Sequence, residues 1–236
     1  MRIRLPLKRT VFFIAVFAFS LVALIPLRVA VGWFGVEGLA AREASGSIWL
    51  GMLKEAQLGP VPLGDVRARL NMLPLLLGRA RLSLSQGGPD GHFDGAVSVS
   101  RHSFGIDDMT GQFRTGTLFA PVPISALDLD DVSVHFDNGQ CESAEGRVRA
   151  TASGELAGIP LPVGLAGNLR CAEGALLLPL ASQGGAGQLN LSMRADGSYR
   201  LDLIVRQADP LLVPRLAAAG FQPSAEGWKR RIEGHF

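Results

Sequence analysis

Apolar and polar residues alternate with a period of two along most of the chain. Val66-Arg67-Ala68-Arg69-Leu70 places apolar residues on even positions and arginines on odd ones, and Ala80-Arg81-Leu82-Ser83-Leu84 repeats the pattern. The alternation returns at 96–99, in Gly146-Arg147-Val148-Arg149-Ala150 and in Leu189-Asn190-Leu191-Ser192-Met193. Successive side chains of a strand point to opposite faces, so each stretch predicts a strand with one face on a core and one in water. Clusters such as Gln86-Gly87-Gly88-Pro89-Asp90-Gly91 punctuate them. Such gaps are too short for helical crossovers, which predicts antiparallel pairing in an all-β, twisted or groove-like sheet.

Two turns fix register. Asn138-Gly139, between apolar-patterned stretches at 127–136 and 141–151, is a strong hairpin signal. Leu127 and Leu129 lie on odd positions while Val132, Val134 and Phe136 lie on even ones, so a β-bulge is expected at Asp130-Asp131. At Ala195-Asp196-Gly197, a two-residue loop would oppose Leu191 to Asp202 and mismatch the faces. A three-residue loop with Gly197 left-handed opposes Leu189 to Leu203, Leu191 to Leu201 and Met193 to Tyr199, and that register is the expected one.

Ile48-Trp49-Leu50, flanked by Gly46 and Gly51, reads as a first strand. Trp49 is then either a core residue at the end of the sheet nearest the N-terminal segment or a contact for lipid or a partner. Stretches 47–58 and 227–234 are expected as exposed sheet edges. Helix is scarce. Leu73-Pro74-Leu75-Leu76-Leu77-Gly78 predicts a single turn, and 209–220 predicts one short helix near the C-terminus, with Asp209 as cap, Pro210 first and Pro214 distorting it.

The N-terminus departs from this pattern. Residues 11–27 carry no charge and follow Arg2, Arg4, Lys8 and Arg9. A helix over that stretch rises roughly 25 Å, and one over 10–30 reaches the ~30 Å hydrocarbon core. Residues 10–30 are therefore expected to be a transmembrane signal-anchor helix, with 1–9 a basic cytoplasmic segment. Residues 31–43, with Trp33 and Phe34, would be a juxtamembrane linker, and 44–236 a β-rich periplasmic domain. A cleaved signal peptide shares the charged start. Its cleavage site before Val31 would put Arg28 where a small residue belongs, so the retained anchor fits better.

Charge follows the same division. Five of the 23 Lys and Arg residues fall within 1–30, where there is no acid, which leaves 18 bases against all 21 acids in the remainder. The exported part is thus mildly acidic and has none of the basic footprint that nucleic acid requires. Its two cysteines, Cys141 and Cys171, would meet an oxidising periplasm, where an even pair reads as a disulfide; the alternative is two separate buried thiols.

Reaction chemistry is not evident. His92, His102, His135 and His235 have no metal-ligand spacing, and no cofactor motif is present. Asp107-Asp108 and Asp130-Asp131 are expected as solvated turn or bulge residues on opposite faces, and His135 as facing water. His102, Ser103 and Asp107 lack the frame of a catalytic triad. Gly184-Gly185-Ala186-Gly187 lacks the Lys-Ser/Thr of a phosphate loop. No catalytic, metal or cofactor residues are therefore expected. Arginines 67, 69, 79, 81, 147 and 149 are expected on outward strand faces, in reach of acidic partners or lipid headgroups.

The order of motifs resembles a known family. Ser45-Gly46-Ser47-Ile48-Trp49-Leu50-Gly51, then Val61-Pro62-Leu63-Gly64-Asp65, then Leu73-Pro74-Leu75-Leu76-Leu77-Gly78 look like the opening of type II secretion system protein N (the GspN family). Cys141 with Ala144-Glu145-Gly146, Leu169-Arg170-Cys171-Ala172-Glu173-Gly174 and Asp196-Gly197-Ser198-Tyr199 extend the likeness, while 86–125 matches only as generic strand. The resemblance implies a non-enzymatic, single-pass inner-membrane accessory component of the machinery that carries folded proteins across the outer membrane. Its partners would be other secretion components, namely the inner-membrane platform and secretin-linking subunits. The alternative is a lipid-binding β-groove of the AsmA-like or lipopolysaccharide-transport kind, which a mean hydropathy of +0.25 also fits, though the anchor supplies part of that value.

Overall fold

The period-two stretches pair into one long antiparallel sheet. The computed structural model describes residues 11–14, 16–17, 20, 24–28, 39–58, 61–88, 91–115, 124–152, 154–156, 159–160, 164–185, 187–206 and 212–235. Its strands are β1 (Leu39–Ala40), β2 (Glu43–Ser47), β3 (Leu50–Leu58), β4 (Val61–Asn71), β5 (Ala80–Gly88), β6 (Gly91–Val99), β7 (Ser103–Arg114), β8 (Ile124–Asp137) and β9 (Gln140–Ala152). They continue with β10 (Glu155–Leu156), β11 (Ile159–Pro160), β12 (Gly164–Asn168), β13 (Arg170–Ala172), β14 (Ala175–Ser182), β15 (Gly187–Met193), β16 (Ser198–Val205), β17 (Gln222–Ser224) and β18 (Gly227–His235). The sheet runs β1-β3-β4-β5-β6-β7-β8-β9-β12-β14-β15-β16-β18-β17, with β2 beside β3 and β13 beside β14; β10 and β11 pair separately. The sheet begins inside the stretch expected as a linker.

The pleat sorts the side chains into two faces. Val66, Ala68 and Leu70 oppose Gln86, Leu84 and Leu82, which in turn oppose Phe93, Gly95 and Val97. The apolar file continues through Met109, Val132, Val148, Leu165, Leu180, Leu189 and Leu203, all buried in one hydrophobic cluster. Burial of this face against itself is the main stabilising term of the fold. Within it Phe93 of β6 stacks on Phe113 of the neighbouring β7, with ring centres 5.1 Å apart.

Three of the ladder's bulges put a non-glycine residue at positive φ. Glu55, Asp108 and Asp131 have positive φ of 49°, 52° and 53°, each at a register shift. Each has its backbone N–H bonded to a neighbouring strand's side-chain oxygen: Asp65 Oδ1 at 3.0 Å, Ser133 Oγ at 2.9 Å and Thr110 Oγ1 at 3.1 Å. The extra residue of a bulge would otherwise lose its ladder partner. The bulge expected at Asp130-Asp131 is one of the three.

The expected registers hold. Asn138-Gly139 closes the β8–β9 hairpin with Asp137 opposite Gln140, and both turn residues have positive φ. Leu189, Leu191 and Met193 face Leu203, Leu201 and Tyr199. Four expectations need correction. Ile48-Trp49 is not a strand but the two-residue turn between β2 and β3, since Ser47 pairs with Leu50. Stretch 47–58 is not an edge, because β3 lies between β4 and the pair β1 and β2. The C-terminal helix starts at Val213 and ends at Ala218, so Pro214 falls in its first turn, where a missing N–H costs nothing. The expected Asp209 cap and Pro210 lie outside the described residues. Finally, the Asp107-Asp108 bulge leaves only Asp108 in solvent: Asp107 is turned into contact with other side chains. The other helix, Met72–Leu76, ends before Gly78 (φ 73°) as expected.

Of the expected membrane span, residues 11–14, 16–17, 20 and 27–28 are helical, and the rest lies partly outside the described residues. Among the described residues no helix is long and apolar enough to cross a membrane.

Candidate functional site

Polar chemistry collects on the outer face. Opposite charges meet there across strands: Lys54 Nζ with Glu43 at 3.0 Å, Arg200 Nε with Glu233 at 2.8 Å, and Asp202 with both Lys229 (3.0 Å) and Arg231 (2.8 Å). Burial alone would push the Asp202 carboxyl up, but hydrogen bonds from Arg231 and Lys229 outweigh it and hold the group below the ordinary carboxylate range. Of the six arginines expected outward, 67, 69, 79, 147 and 149 are exposed, whereas Arg81 is half-buried in a cluster.

That cluster joins side chains of β5, β7, β8 and β9. Arg81 Nη1 lies 3.6 Å from Asp107 Oδ2, and its Nη2 lies 3.4 Å from Asp108. Asp107 Oδ1 is 2.7 Å from His135 Nε2, while Ser143 Oγ is 3.4 Å from the other ring nitrogen. A serine, a histidine and an aspartate thus stand in sequence across β9, β8 and β7. The order is that of a nucleophilic triad, but the setting is not. Ser143 is exposed on a strand face, its contact is long, and a nucleophile needs backbone donors aimed at a developing oxyanion. The backbone of Ser143, Ala144 and Glu145 is already engaged in the β8–β9 ladder. Among the described residues no group of His, Cys, Asp and Glu is suited to a metal ion.

A trough of about 610 Å³ lies over β2 to β6, bordered by Ser45, Leu50, Met52, Arg67, Leu84 and Asp94. Open and mixed in polarity, it is a surface for contact rather than an enclosed reaction chamber.

Cys141 and Cys171 form a disulfide with Cα atoms 5.5 Å apart. It joins the start of β9 to β13, where Asn168 ends the β9–β12 ladder and Cys171 pairs with Leu176. Trp49 sits half-buried in its turn. Sequence reasoning missed the His135–Asp107 pair, because it joins diagonal neighbours on separate strands.

The described residues thus form a long sheet with an apolar face, an ion-paired outer face and a covalent staple. The chain belongs to the family of type II secretion system protein N, whose model matches residues 37–230. That match runs from β1 through the first four residues of β18, so it takes in nearly all of the sheet. Comparison with curated proteins gave no match, and comparison with solved structures gave none either.

Proposed function

We propose that the chain is an inner-membrane-anchored accessory component of the type II secretion system that acts by protein–protein binding in the transport of folded proteins across the outer membrane. The family match carries the reading. In this arrangement 1–9 is cytoplasmic, 10–30 spans the membrane once, and the sheet stands in the periplasm, where oxidising conditions suit the Cys141–Cys171 bridge. No turnover of a small molecule is involved.

Two places offer backbone to a partner. β18 pairs with β16 along its length but with β17 only over Gly227, Trp228 and Lys229, and β2 is flanked by β3 alone among the described strands. The margins of β18 beyond Lys229 and of β2 before Ser47 can accept an added strand. Arg230, Arg231 and Glu233 on the first margin restrict which strand that is, since like charges directly opposite repel.

Crosslinking of the full chain in its own membrane, followed by identification of the captured proteins, tests the reading. Inner-membrane platform or secretin-linking subunits are the expected catch. A reporter enzyme fused after Phe236 that is active only in the cytoplasm would overturn the topology.

A further inference from the structure

The antiparallel order puts the β2–β3 turn, the Met72–Leu76 helix and the β6–β7 turn on one rim of the sheet, on every second connection. The apolar N-terminal segment ends on this same rim. Pro26 bridges to Ser47, the N–H of Ile48 donates to the carbonyl of Ile25 at 3.1 Å, and Leu27 is buried over Gly51. The N–H of Leu70, just before the helix, donates to the carbonyl of Ile48 at 3.1 Å. The end of the apolar segment and the start of the rim helix therefore share one residue as their tie.

The rim helix buries nothing. Leu73, Leu76 and Leu77 are 78%, 83% and 82% exposed, and Met72 is exposed too. The apolar band continues along the rim through Val99, paired with Ala80 at the start of β5, and Phe104, paired with Val99; both are exposed. Water is a poor neighbour for such a band. Arg28, Arg69, Arg79 and Arg101 are exposed around it, and 68–81 contains no acid.

We infer that this rim is a second membrane contact: Leu73, Leu76 and Leu77 enter the boundary between headgroups and acyl chains of the bilayer that holds the N-terminal segment. The inference rests on the anchor reading above. Leucines below with arginines at headgroup level is the division of labour of an interfacial helix, and Trp49 in the adjoining turn is of the residue type that settles at that depth. The tie through Ile48 fixes the distance between the two contacts, so the sheet stands in one orientation on the membrane rather than swinging on a tether. Its opposite rim, with the β14–β15 turn, is then held towards the periplasm.

A diazirine-bearing leucine analogue placed at position 76 of the full chain tests this, in vesicles of phosphatidylethanolamine with a minority of phosphatidylglycerol. The same analogue at 183, on the opposite rim, and at 13, inside the apolar segment, are the controls. Position 76 is expected to give lipid adducts at least about tenfold above position 183. Adducts at 13 but not at 76 would overturn the rim contact and leave the anchor standing, as would capture of another protein at 76 in native membranes. Absence of adducts at both 13 and 76 would overturn the anchor itself. Leu73→Ser, Leu76→Ser and Leu77→Ser combined are expected to abolish lipid adducts from the analogue at Val99 without altering those at position 13.

Discussion

His135 reaches Asp107 across β7, with Nε2 2.7 Å from Oδ1, by lying over a glycine. A Cβ at position 105 would meet the imidazole Cδ2 at 2.7 Å, so Gly105 leaves the space the ring occupies. The Asp107-Asp108 bulge then presents the carboxylate to the ring. Asp107 is only 13% exposed, and its second oxygen has Arg81 at 3.6 Å, with no hydrogen bond among the described residues. Asp107→Ala is expected to destabilise the fold by about 1–3 kcal/mol, because it removes one hydrogen bond and the partner of Arg81. Gly105→Ala, which displaces the ring, is expected to lose a similar amount despite leaving both partners present. Urea unfolding of the full chain in mild detergent measures both.

The same cluster predicts a chemical silence. Ser143 is a neighbour of His135 without an assembled oxyanion site, so a fluorophosphonate probe is expected to leave it unlabelled. Labelling at Ser143 that disappears with His135→Ala would instead establish an activated nucleophile.

The Cys141–Cys171 bridge closes a loop with a sequence separation of 30. Constraint of the unfolded chain by such a loop is worth about 3–4 kcal/mol in the chain-entropy model. Cys141→Ala with Cys171→Ala is expected to lower stability by that order, and added reductant to have no further effect on the double variant. Equal stability of wild type with and without reductant would contradict it.

Face patterning and turn chemistry made much of this fold readable from sequence. Leu191 opposite Leu201 follows from requiring matching faces across a three-residue loop, and Asn138-Gly139 supplies two residues that tolerate positive φ. The bulge at Asp130-Asp131 shows as a phase slip between Leu129 and Val132. The same slip exists at Asp107-Asp108, where Phe104 and Ile106 are even and Met109 and Phe113 odd. Ile48-Trp49 misleads for a physical reason: a β-branched and an aromatic residue carry no turn preference. Their turn is held from outside, by the bond from Ile48 to Ile25. The His135–Asp107 pair was equally hidden, because its geometry depends on diagonal strand neighbours and on the empty space at Gly105.

The bulges can be probed through the sign of one dihedral angle. Asp131 sits at φ 53° with its N–H on Thr110 Oγ1. Asp131→Gly, which suits that conformation, is expected to leave stability nearly unchanged. Asp131→Val is expected to cost about 1–2 kcal/mol, since a β-branched residue is strained there. Equal stability of the two variants would mean the bulge relaxes.

Asp202 gives a pH signature. It is 16% exposed and held by Arg231 and Lys229 of β18, with the Arg200–Glu233 pair alongside on the same two strands. Its folded-state pKa lies below the ordinary value of 3.8, because the two cations favour the ionised form more strongly than burial opposes it. Folding therefore gains from this carboxylate at every pH above the unfolded value, and the gain is lost as pH falls through the lower, folded one. Asp202→Asn preserves shape but removes the charge, so wild type is expected to exceed it by about 1–2 kcal/mol near neutrality. The difference should shrink progressively below about pH 4, where the unfolded chain takes up the proton first. A difference that persists unchanged well below that pH would show that the substitution costs packing rather than charge. Because β18 is the strand whose far margin is offered to a partner, the same substitution is also expected to speed amide exchange along Lys229, Arg230 and Arg231 more than along β15. Uniform exchange across both strands would mean that Asp202 does not fasten β18 to the sheet.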